Sequence, residues 1–207
     1  GIRSVRGSWE VAIDRRILQT RFIVNAAGLF ADDISAMAGA GDFTLYPRRG
    51  EYVLIENQLD YEVHRPVFQV PTTRGKGIVV SRTVDGTIIA GPTADDGDDK
   101  ESTATTPDGL ARTLAGARRS VPMLDSRHVI AQFVGNRAVM KERDDFLIEI
   151  GAPRFVNVAG IKSPGLTAAP AIAEYVVGLL GEEGLKLRKN VDFVAENATE
   201  MLFRCCS

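Results

Sequence analysis

The sequence is poor in the residues that mark several specialised protein classes. Its two cysteines, Cys205 and Cys206, are adjacent at the very end of the chain. Adjacent cysteines rarely bridge each other and two are too few for a four-cysteine metal site, so the pattern favours a reducing compartment. The formal net charge is only −2, so no overall field favours nucleic acid or an acidic membrane surface. No apolar run reaches the ~18 residues of a transmembrane segment. We expect a cytoplasmic location, with peripheral attachment to the inner face of the membrane left open.

Two segments far apart in the chain share the pattern of a strand, an exit of small residues and a helix. Residues 21–39 predict a strand at 22–24 and a short helix that Gly39 ends, and residues 154–181 predict a strand at 155–158 and a longer helix. The two strands have nearly matching exits, RFIVNAAG and RFVNVAG. We therefore expect neighbouring parallel strands with a ligand across their carboxyl ends. Two ordinary βα turns, with glycine for close packing, explain the pattern about equally well.

The second of these units also predicts a helix start suited to an anion. Its turn contains Ser163-Pro164-Gly165, and apolar residues recur at helical spacing from Thr167 onward. Thr167 is the predicted N-cap, which places Pro170 in the first turn, where a missing N–H costs little. Free backbone N–H groups and the positive end of the helix dipole would then face an anion or a carbonyl oxygen.

The pattern of residues 43–150 predicts a mostly antiparallel sheet with one helix. The predicted elements are strands at 52–55, 67–70, 129–134 and 146–150, a hairpin of 77–84 and 87–90 around a type I′ turn at Asp85-Gly86, and a helix at 107–121. The acidic stretch 91–106 lacks the ligand spacing and the terminal glutamate of a calcium loop. We predict that it is a surface loop and that residues 94–103 bind no metal.

The beginning of the chain predicts three short strands, at residues 2–6, 9–13 and 17–24. The chain has no initiator methionine and opens directly with residues that favour a strand. A natural domain and a fragment of a longer protein would both begin in this way.

Five stretches of the chain together resemble a known family. They read NAAGLFADDISAMAG, PRRGEYVLIE, VSRTVDGTIIAGPTADD, FVGNRAV and GIKSPGLTAAPAIAEYV. From about Trp9 to Leu180 the chain is similar to the carboxyl-terminal part of FAD-dependent oxidoreductases of the D-amino-acid-oxidase superfamily. Within it, the bacterial branch that resembles glycerol-3-phosphate dehydrogenase and L-2-hydroxyglutarate oxidase is the most similar.

The resemblance implies an α/β fold with an α+β insertion. The expected parts are the C-terminal part of a Rossmann-like FAD-binding domain and a mostly antiparallel-sheet substrate domain. The corresponding ranges are 1–42 for part of the FAD-binding domain, 43–150 for the substrate domain, 151–185 for the returning βα unit and 186–207 for a C-terminal tail. The G-x-G-x-x-G turn that holds the FAD pyrophosphate is missing. We therefore expect a fragment whose partner is the missing N-terminal half of the FAD domain.

The resemblance also implies the cofactor-binding residues. The cofactor is FAD, which we expect in the full-length parent and only weakly or not at all in this fragment. The two exits and the second turn would lie against it, with the helix N-terminus facing the end of the ring that becomes negative on reduction. The implied residues are Ala27, Gly28, Gly160, Ile161, Lys162, Ser163, Pro164, Gly165, Leu166 and Thr167. For Lys162 a solvent-facing side chain is the favoured alternative.

Three further residues are candidates for substrate binding. Arg137, in Gly135-Asn136-Arg137-Ala138, matches the G-x-R-P turn whose arginine grips an anionic group in this superfamily, with alanine in place of proline. Its planar guanidinium suits a carboxylate or a phosphate, and the alternative is a structural ion pair with Glu142 or Asp144. Arg49 and Tyr52 resemble the strand that borders the substrate pocket. A basic turn and a sheet aromatic are equally good interpretations of these two.

Three classes of function therefore remain open. The first is part of an FAD oxidoreductase that takes a hydride from a small anionic 2-hydroxy compound, such as glycerol 3-phosphate or 2-hydroxyglutarate. The second is a non-catalytic ligand-binding module with the same fold. The third is an interaction module that dimerises through exposed sheet edges. No catalytic residue is assigned, and neither a metal nor nucleic acid is expected as a partner.

Overall fold

The computed structural model describes residues 1–57, 63–71, 77–188 and 190–193. The strands are β1 (Ile2–Val5), β2 (Ser8–Ile13), β3 (Arg16–Thr20), β4 (Ile23–Asn25), β5 (Leu45–Ile55), β6 (Val79–Arg82), β7 (Ile88–Gly91), β8 (Asp95–Asp96), β9 (Val129–Met140), β10 (Leu147–Ala152) and β11 (Phe155–Ala159). The helices are α1 (Ala31–Ala38), α2 (Pro107–Ser120) and α3 (Gly165–Glu182), with short 3₁₀ turns at Gly28–Phe30 and Ser126–His128. Most of the predicted tail, and with it both cysteines, lies outside the described residues.

The two matched exits belong to neighbouring parallel strands, which confirms that expectation. Strand β4 pairs with β11 in parallel, with Asn25 opposite Asn157, and β10 pairs with the other edge of β11 in antiparallel. The carboxyl ends of β4 and β11 therefore meet at one edge of this sheet. Strand β10, which the predicted division at residue 150 assigns to the insertion, is part of the same sheet. In the described residues no strand pairs with the free edge of β4.

A separate antiparallel meander of β1, β2 and β3 precedes this sheet. The sequence predicts one strand over 17–24, and that prediction is wrong. The chain bends at Arg21 and divides the segment into β3 and β4, which belong to different sheets. Pairing of Ile23 with Phe155 on β11 draws the second half of the segment away from the meander.

The insertion is a five-stranded antiparallel sheet built around the long strand β5. Strand β9 pairs with β5 from Leu45 to Ile55, while β7 and β8 pair with successive segments along its other edge. The sequence predicts a basic turn at Pro47-Arg48-Arg49-Gly50, before the strand at 52–55, and a second turn at Gly135-Asn136-Arg137-Ala138. Both predictions are wrong, because these segments lie inside β5 and β9. Long-range pairing between β5 and β9 overrides the local turn signal of proline and glycine.

Two smaller predictions in the insertion also need correction. In the described residues, the strand predicted at 67–70 is reduced to a single bridge between Val67 and Val80. The flanking Pro66 and Pro71 have no backbone N–H to donate to a ladder. The β6–β7 hairpin is confirmed, but Thr83 N–H donates to Thr87 C=O at 2.8 Å and leaves a three-residue loop. A type I′ turn needs a positive φ at two residues, and only Gly86, at φ +91°, has one in this loop.

Helix α2 packs its apolar side on the sheet as its periodicity predicts. Leu114 and Ala117 are buried beside Val53, Ile55 and Ile88 in the core of the insertion. The helix begins at Thr106, whose hydroxyl accepts a hydrogen bond from Gly109 N–H at 2.9 Å. Helix α2 therefore covers one face of the sheet and leaves the opposite face of β5 and β9 for other contacts.

Candidate active site

The carboxyl ends of β4 and β11 are tied to helix α1 by two buried asparagines. Asn25 donates to Ala31 C=O at 2.7 Å and to Asn157 Oδ1 at 2.8 Å. Asn157 in turn donates to Ala40 C=O at 2.7 Å and to Ser35 Oγ at 3.2 Å. Because both side chains are almost completely buried, these bonds fix the position at which the chain leaves β4 toward the turn at Gly28.

The two small-residue exits leave open backbone at this edge. Gly28 has φ +60°, and a methyl group built on it would meet no atom within 4 Å. Ala27 beside it is exposed. Gly160 has φ +65°, and a methyl group there would come within 3.4 Å of Met140 Cε. The first exit is therefore free to approach a ligand, while the second is packed against the end of β9.

The N-terminus of α3 is the second part of this edge. The helix begins at Gly165, so the prediction that Thr167 caps it is wrong, and Pro170 lies inside the helix. Gly165 extends the helix toward the strand because its missing side chain leaves room for Ile161, whose Cγ2 would meet any methyl group there. No side chain caps the helix. The N–H groups of Leu166 and Thr167 are thus available, and the Leu166 side chain is 93% exposed.

The turn before this helix carries a cation held in place by a carboxylate. Lys162 forms an ion pair with Asp144, and its side chain is only 21% exposed. The lysine is thus partly shielded, while its partner Asp144 is 88% exposed, and its role toward the cofactor stays a prediction. Lys162 lowers the pKa of the Asp144 carboxyl, and Arg48 lowers it further. Gly160, at the start of this turn, packs against Met140, the register partner of Leu45, so the turn lies near the beginning of β5.

Arg137 and Tyr52 share the face of the insertion sheet that α2 does not cover. Arg137 is paired in register with Arg48, and Tyr52 with Phe133, so these four side chains project from one face. The Tyr52 and Phe133 rings stack with centroids 5.0 Å apart and planes at 7°. Arg49, one residue along β5, projects from the opposite face, so the structure separates it from the other two substrate candidates.

The Arg137 guanidinium is held by backbone carbonyls and not by a carboxylate. Its Nη2 donates to Thr93 C=O at 2.7 Å and to Arg49 C=O at 3.3 Å, and its Nε donates to Arg48 C=O at 3.3 Å. The structural alternative is absent, because Glu142 accepts instead from Thr44 N–H and Asp144 pairs with Lys162. Among the described residues, none accepts a hydrogen bond from Nη1.

Burial disfavours the positive charge of the Arg137 guanidinium, as it disfavours any cation taken out of water. Burial lowers the pKa of the Arg137 guanidinium below its ordinary value, and the neighbouring charge of Arg48 lowers it further. An arginine nevertheless remains protonated at neutral pH. The face therefore carries a half-buried positive charge whose nearest acceptors are neutral, which is the electrostatic requirement for binding an anion.

The arginine pair lies near the carboxyl ends of β4 and β11 because of how β5 and β9 end. Leu45 and Met140 pair at the ends of these strands and pack with Ala31 and Ala159 in one buried cluster. Three residues of a strand span about 10 Å, which is the step from that pair to the pair of Arg48 and Arg137. The face that carries Arg48 and Arg137 thus begins about one such step from the carboxyl ends of β4 and β11.

Comparisons with known proteins agree with this arrangement. The DAO family, described as FAD dependent oxidoreductase, matches residues 1–179. The chain belongs to this family. Its expected α/β fold with an inserted antiparallel sheet is confirmed, because the structure superposes with a TM-score of 0.85 on L-alpha-glycerophosphate oxidase from Mycoplasma pneumoniae with FAD bound. That pair is 38% identical, and the alignment covers 92% of this chain and 51% of that one.

Two curated relatives indicate which branches of the DAO family are similar to this chain. Glycerol 3-phosphate dehydrogenase of Caloramator mitchellensis is 41% identical over 187 residues, which are 89% of this chain and 39% of that protein. Mitochondrial L-2-hydroxyglutarate dehydrogenase of Mus musculus is 34% identical over 80 residues, or 37% of this chain and 17% of that protein. This DAO-family chain therefore spans less than half the length of the curated relatives that it matches.

Sequence reasoning about this member of the DAO family missed several residues that shape its site. Asn25 and Asn157 were detectable, because the same residue occurs in both exits. Arg48 could not be detected, since a predicted turn does not determine whether Arg48 or Arg49 faces Arg137. Asp96 was also missed, because the acidic stretch was predicted to be a surface loop. Two of its residues, Asp95 and Asp96, instead form β8, which pairs with β5.

The acidic stretch is occupied by ion pairs. Asp95 accepts both Arg112 Nη1 and Nη2 at 2.9 Å, and Asp96 accepts Arg48 Nε at 2.5 Å. These partners lower the pKa of both carboxyls. No group of three or more metal-ligating side chains comes together in the described part of the chain, and the absence of calcium binding stays a prediction. In the same residues, no helix combines the length and apolarity needed to cross a membrane.

Proposed function

We propose that the protein containing this chain is an FAD-dependent oxidoreductase that oxidises the 2-hydroxyl group of glycerol 3-phosphate. The observation that carries the proposal is the half-buried Arg137 guanidinium, which is bound by carbonyl groups and has no carboxylate partner among the described residues. The similarity to glycerol 3-phosphate dehydrogenase extends over 187 residues and the similarity to L-2-hydroxyglutarate dehydrogenase over only 80. That difference favours a phosphate over a second carboxylate as the anionic group.

The residues at the two exits fit a bound flavin. Gly28 offers backbone with open space in front of it, and Leu166 and Thr167 offer uncapped N–H groups at a helix N-terminus. Such N–H groups and the helix dipole stabilise negative charge. When bound, FAD would supply the acceptor for the hydride from the substrate carbon. In this proposal Ala27 and Gly28 hold the dinucleotide, and residues 160–167 hold the flavin ring.

The uncovered face of the insertion sheet would bind the substrate. Arg137 binds the anionic group through Nη1, while the carbonyl groups of Arg48 and Thr93 hold the guanidinium in place. The stacked rings of Tyr52 and Phe133 form an apolar wall beside it. Arg49 takes no part, because it lies on the α2 face, where it contacts Glu51 and donates to Ala104 C=O.

The rest of the polypeptide would supply the pyrophosphate-binding segment. The free edge of β4 and the exposed side of α3 are open in the described residues, and a parallel strand with its following helix would cover both. Val24 on β4, at 44% exposure, and Val177 on α3, at 39%, are apolar side chains that such a segment would bury. A second copy of the chain at the same edge is the competing occupant.

The test compares two purified proteins, the full-length polypeptide and residues 1–207. We expect full-length protein with flavin absorbance that bleaches when glycerol 3-phosphate is added without oxygen, and residues 1–207 with little or no flavin. A colourless full-length protein that FAD cannot reconstitute would show that the enzyme proposal is wrong. Stoichiometric FAD on residues 1–207 would show that the pyrophosphate-binding segment is not required. A stable dimer of residues 1–207 alone would favour the second copy as the occupant of the β4 edge.

A further inference from the structure

We infer that Arg48 is a second anion-binding guanidinium, which together with Arg137 selects a phosphate dianion over a carboxylate and which Asp96 neutralises when no substrate is bound. The inference rests on the proposed function for the position of the substrate. It adds a specificity-determining residue and a counter-ion that the substrate displaces.

Three charged side chains lie in one row across the uncovered face. Arg137 on β9 is opposite Arg48 on β5, and Arg48 is opposite Asp96 on β8. Cross-strand partners project from the same face of a sheet, so the order along the row is guanidinium, guanidinium, carboxylate. The middle residue, Arg48, can therefore contact either its carboxylate neighbour or a ligand bound at Arg137.

Stability does not explain this row. Like charges directly opposite each other in a sheet are destabilising, and Arg48 lowers the pKa of Arg137. The ion pair of Arg48 and Asp96 offers little in return, because the two side chains are 35% and 55% exposed and exposed pairs contribute little. An unfavourable pair of cations that is kept on an open face is explained by a ligand with two negative charges.

Arg137 alone cannot satisfy a phosphate dianion. Its Nε and Nη2 are already used by three carbonyl groups, so only Nη1 is left for a ligand. The N–H groups of this single nitrogen can bind a carboxylate. A phosphate presents three oxygens and up to two charges, and Arg48 is the cation opposite Arg137 that can bind the remaining oxygen.

Two glycines keep the surface beside the row free of side chains. Gly50 and Gly135 are paired in register one step from the arginines, between them and the stacked rings of Tyr52 and Phe133. A methyl group on Gly50 would lie 3.2 Å from Arg137 Nη2 and 2.6 Å from Pro92 Cβ, so the Arg137 side chain lies across that residue. A methyl group on Gly135 would meet only Tyr52, at 3.7 Å. The space above Gly135 is therefore open to a small ligand.

Asp96 is placed to act as a reversible counter-ion. It accepts Arg48 Nε at 2.5 Å and Arg48 Nη2 at 3.1 Å, and the same Nη2 also donates to Tyr46 Oη at 3.1 Å. Strand β8 has only two residues, and the Asp96 side chain is more than half exposed. When a phosphate approaches Arg48, the exposed Asp96 carboxylate can exchange its bond to Arg48 for bonds to water at a small cost in free energy.

The experiment measures binding of inorganic phosphate and of lactate to the full-length protein by calorimetric titration above neutral pH. We expect Arg48→Gln to weaken phosphate binding by about tenfold to a hundredfold, as for a lost charge-assisted hydrogen bond, and to change lactate binding little. Arg112→Gln is the matched control, because Arg112 pairs with Asp95 on the same short strand but on the α2 side. It should leave both affinities unchanged. Unchanged phosphate binding in Arg48→Gln would overturn the inference.

Asp96→Asn separates anion binding from a structural role. If Asp96 competes with the ligand, its removal tightens phosphate binding. If the ion pair merely holds β8 in place, Asp96→Asn and Arg48→Gln lose the same contact and both weaken binding, which would overturn the inference. The titration does not depend on turnover. A protein without flavin or without glycerol 3-phosphate oxidation would contradict the proposed function, whereas the phosphate titration decides the role of Arg48 by itself.

Discussion

In the proposed function, Arg137 is a single residue held ready for an anionic ligand at the expense of stability. The three carbonyl groups that accept its N–H groups satisfy its donors but leave its charge uncompensated. A carboxylate in place of these carbonyl groups would have neutralised the positive charge on this face of the sheet. Burial lowers the pKa of the guanidinium, in the direction expected for an uncompensated charge. Gly50 belongs to the same device, because only a residue without a side chain allows Arg137 to lie across β5.

At this scale we predict that Arg137→Ala raises KM for glycerol 3-phosphate strongly while FAD stays bound. The loss corresponds to about 2–5 kcal/mol, as for a charged partner removed from a shielded pair. Arg137→Lys should restore only part of the affinity, because the three donors of an ammonium cannot serve the three carbonyl groups and the ligand together. Steady-state kinetics and flavin absorbance measure the two effects.

The control for this prediction is Arg118→Ala. Arg118 is also an arginine whose Nε donates to a backbone carbonyl, that of Leu124 at 2.7 Å, but it lies on α2 and faces no proposed ligand. It should lower the melting temperature and leave KM unchanged. If Arg137→Ala behaves in the same way, Arg137 has a structural role and does not bind the substrate.

At the scale of elements, the pair of parallel strands is positioned by side chains as well as by its ladder. Only three residues of β4 pair with β11, which is little for a strand that carries an exit toward a cofactor. The bonds of Asn25 and Asn157 to the main chain of residues at both ends of α1 add the missing constraint. These bonds therefore tie the strand, the exit and the helix together.

We therefore predict that Asn157→Leu lowers the free energy of unfolding by about 1–3 kcal/mol, because it leaves the buried Ala40 C=O and Asn25 Nδ2 without their partner. It should also weaken FAD binding, since the turn at Gly28 is no longer fixed. Urea denaturation and flavin release measure these effects. Asn190→Leu, at an exposed position, is the control and should change the unfolding free energy by less than about 0.5 kcal/mol. Unchanged FAD affinity in Asn157→Leu would contradict the proposed coupling.

At the scale of the whole molecule, the insertion is joined to the first βα unit by one cluster of charges. Lys100, from the acidic stretch, donates to Asp32 at 2.6 Å and to Asp33 at 2.9 Å, and lies 5.6 Å from the centre of the Phe30 ring. Asp32 also accepts Leu45 N–H at 2.9 Å. Since this carboxylate is only 11% exposed, it depends on both donors.

We predict that Lys100→Met lowers the free energy of unfolding by about 1–3 kcal/mol, the range for hydrogen bonds to charged groups. It should also raise KM and speed FAD release together, because the cluster joins the substrate face to the Gly28 turn. A double-mutant cycle with Asp32→Asn measures the coupling directly. Additive effects of the two substitutions would show that the cluster does not join the two parts of the molecule.

The sequence alone was sufficient for the features that depend on local pattern and on motifs. Residues 21–39 and 154–181 predicted two matched βα units, and they proved to be parallel neighbours. The periodicity of 107–121 predicted α2 and its buried side. The resemblance of five stretches, GIKSPGLTAAPAIAEYV among them, to FAD-dependent oxidoreductases implied FAD chemistry, and the family assignment agrees with that resemblance.

Only the tertiary structure decided which side chains face each other. Whether Arg48 or Arg49 faces Arg137 depends on the register of β5 against β9, and a shift of one residue would exchange them. That register is set by pairing across more than eighty residues of sequence, which no local signal contains. That no carboxylate in the described part of the chain pairs with Arg137 has the same origin, because Glu142 and Asp144 are near it in sequence but are held by Thr44 and Lys162 in space.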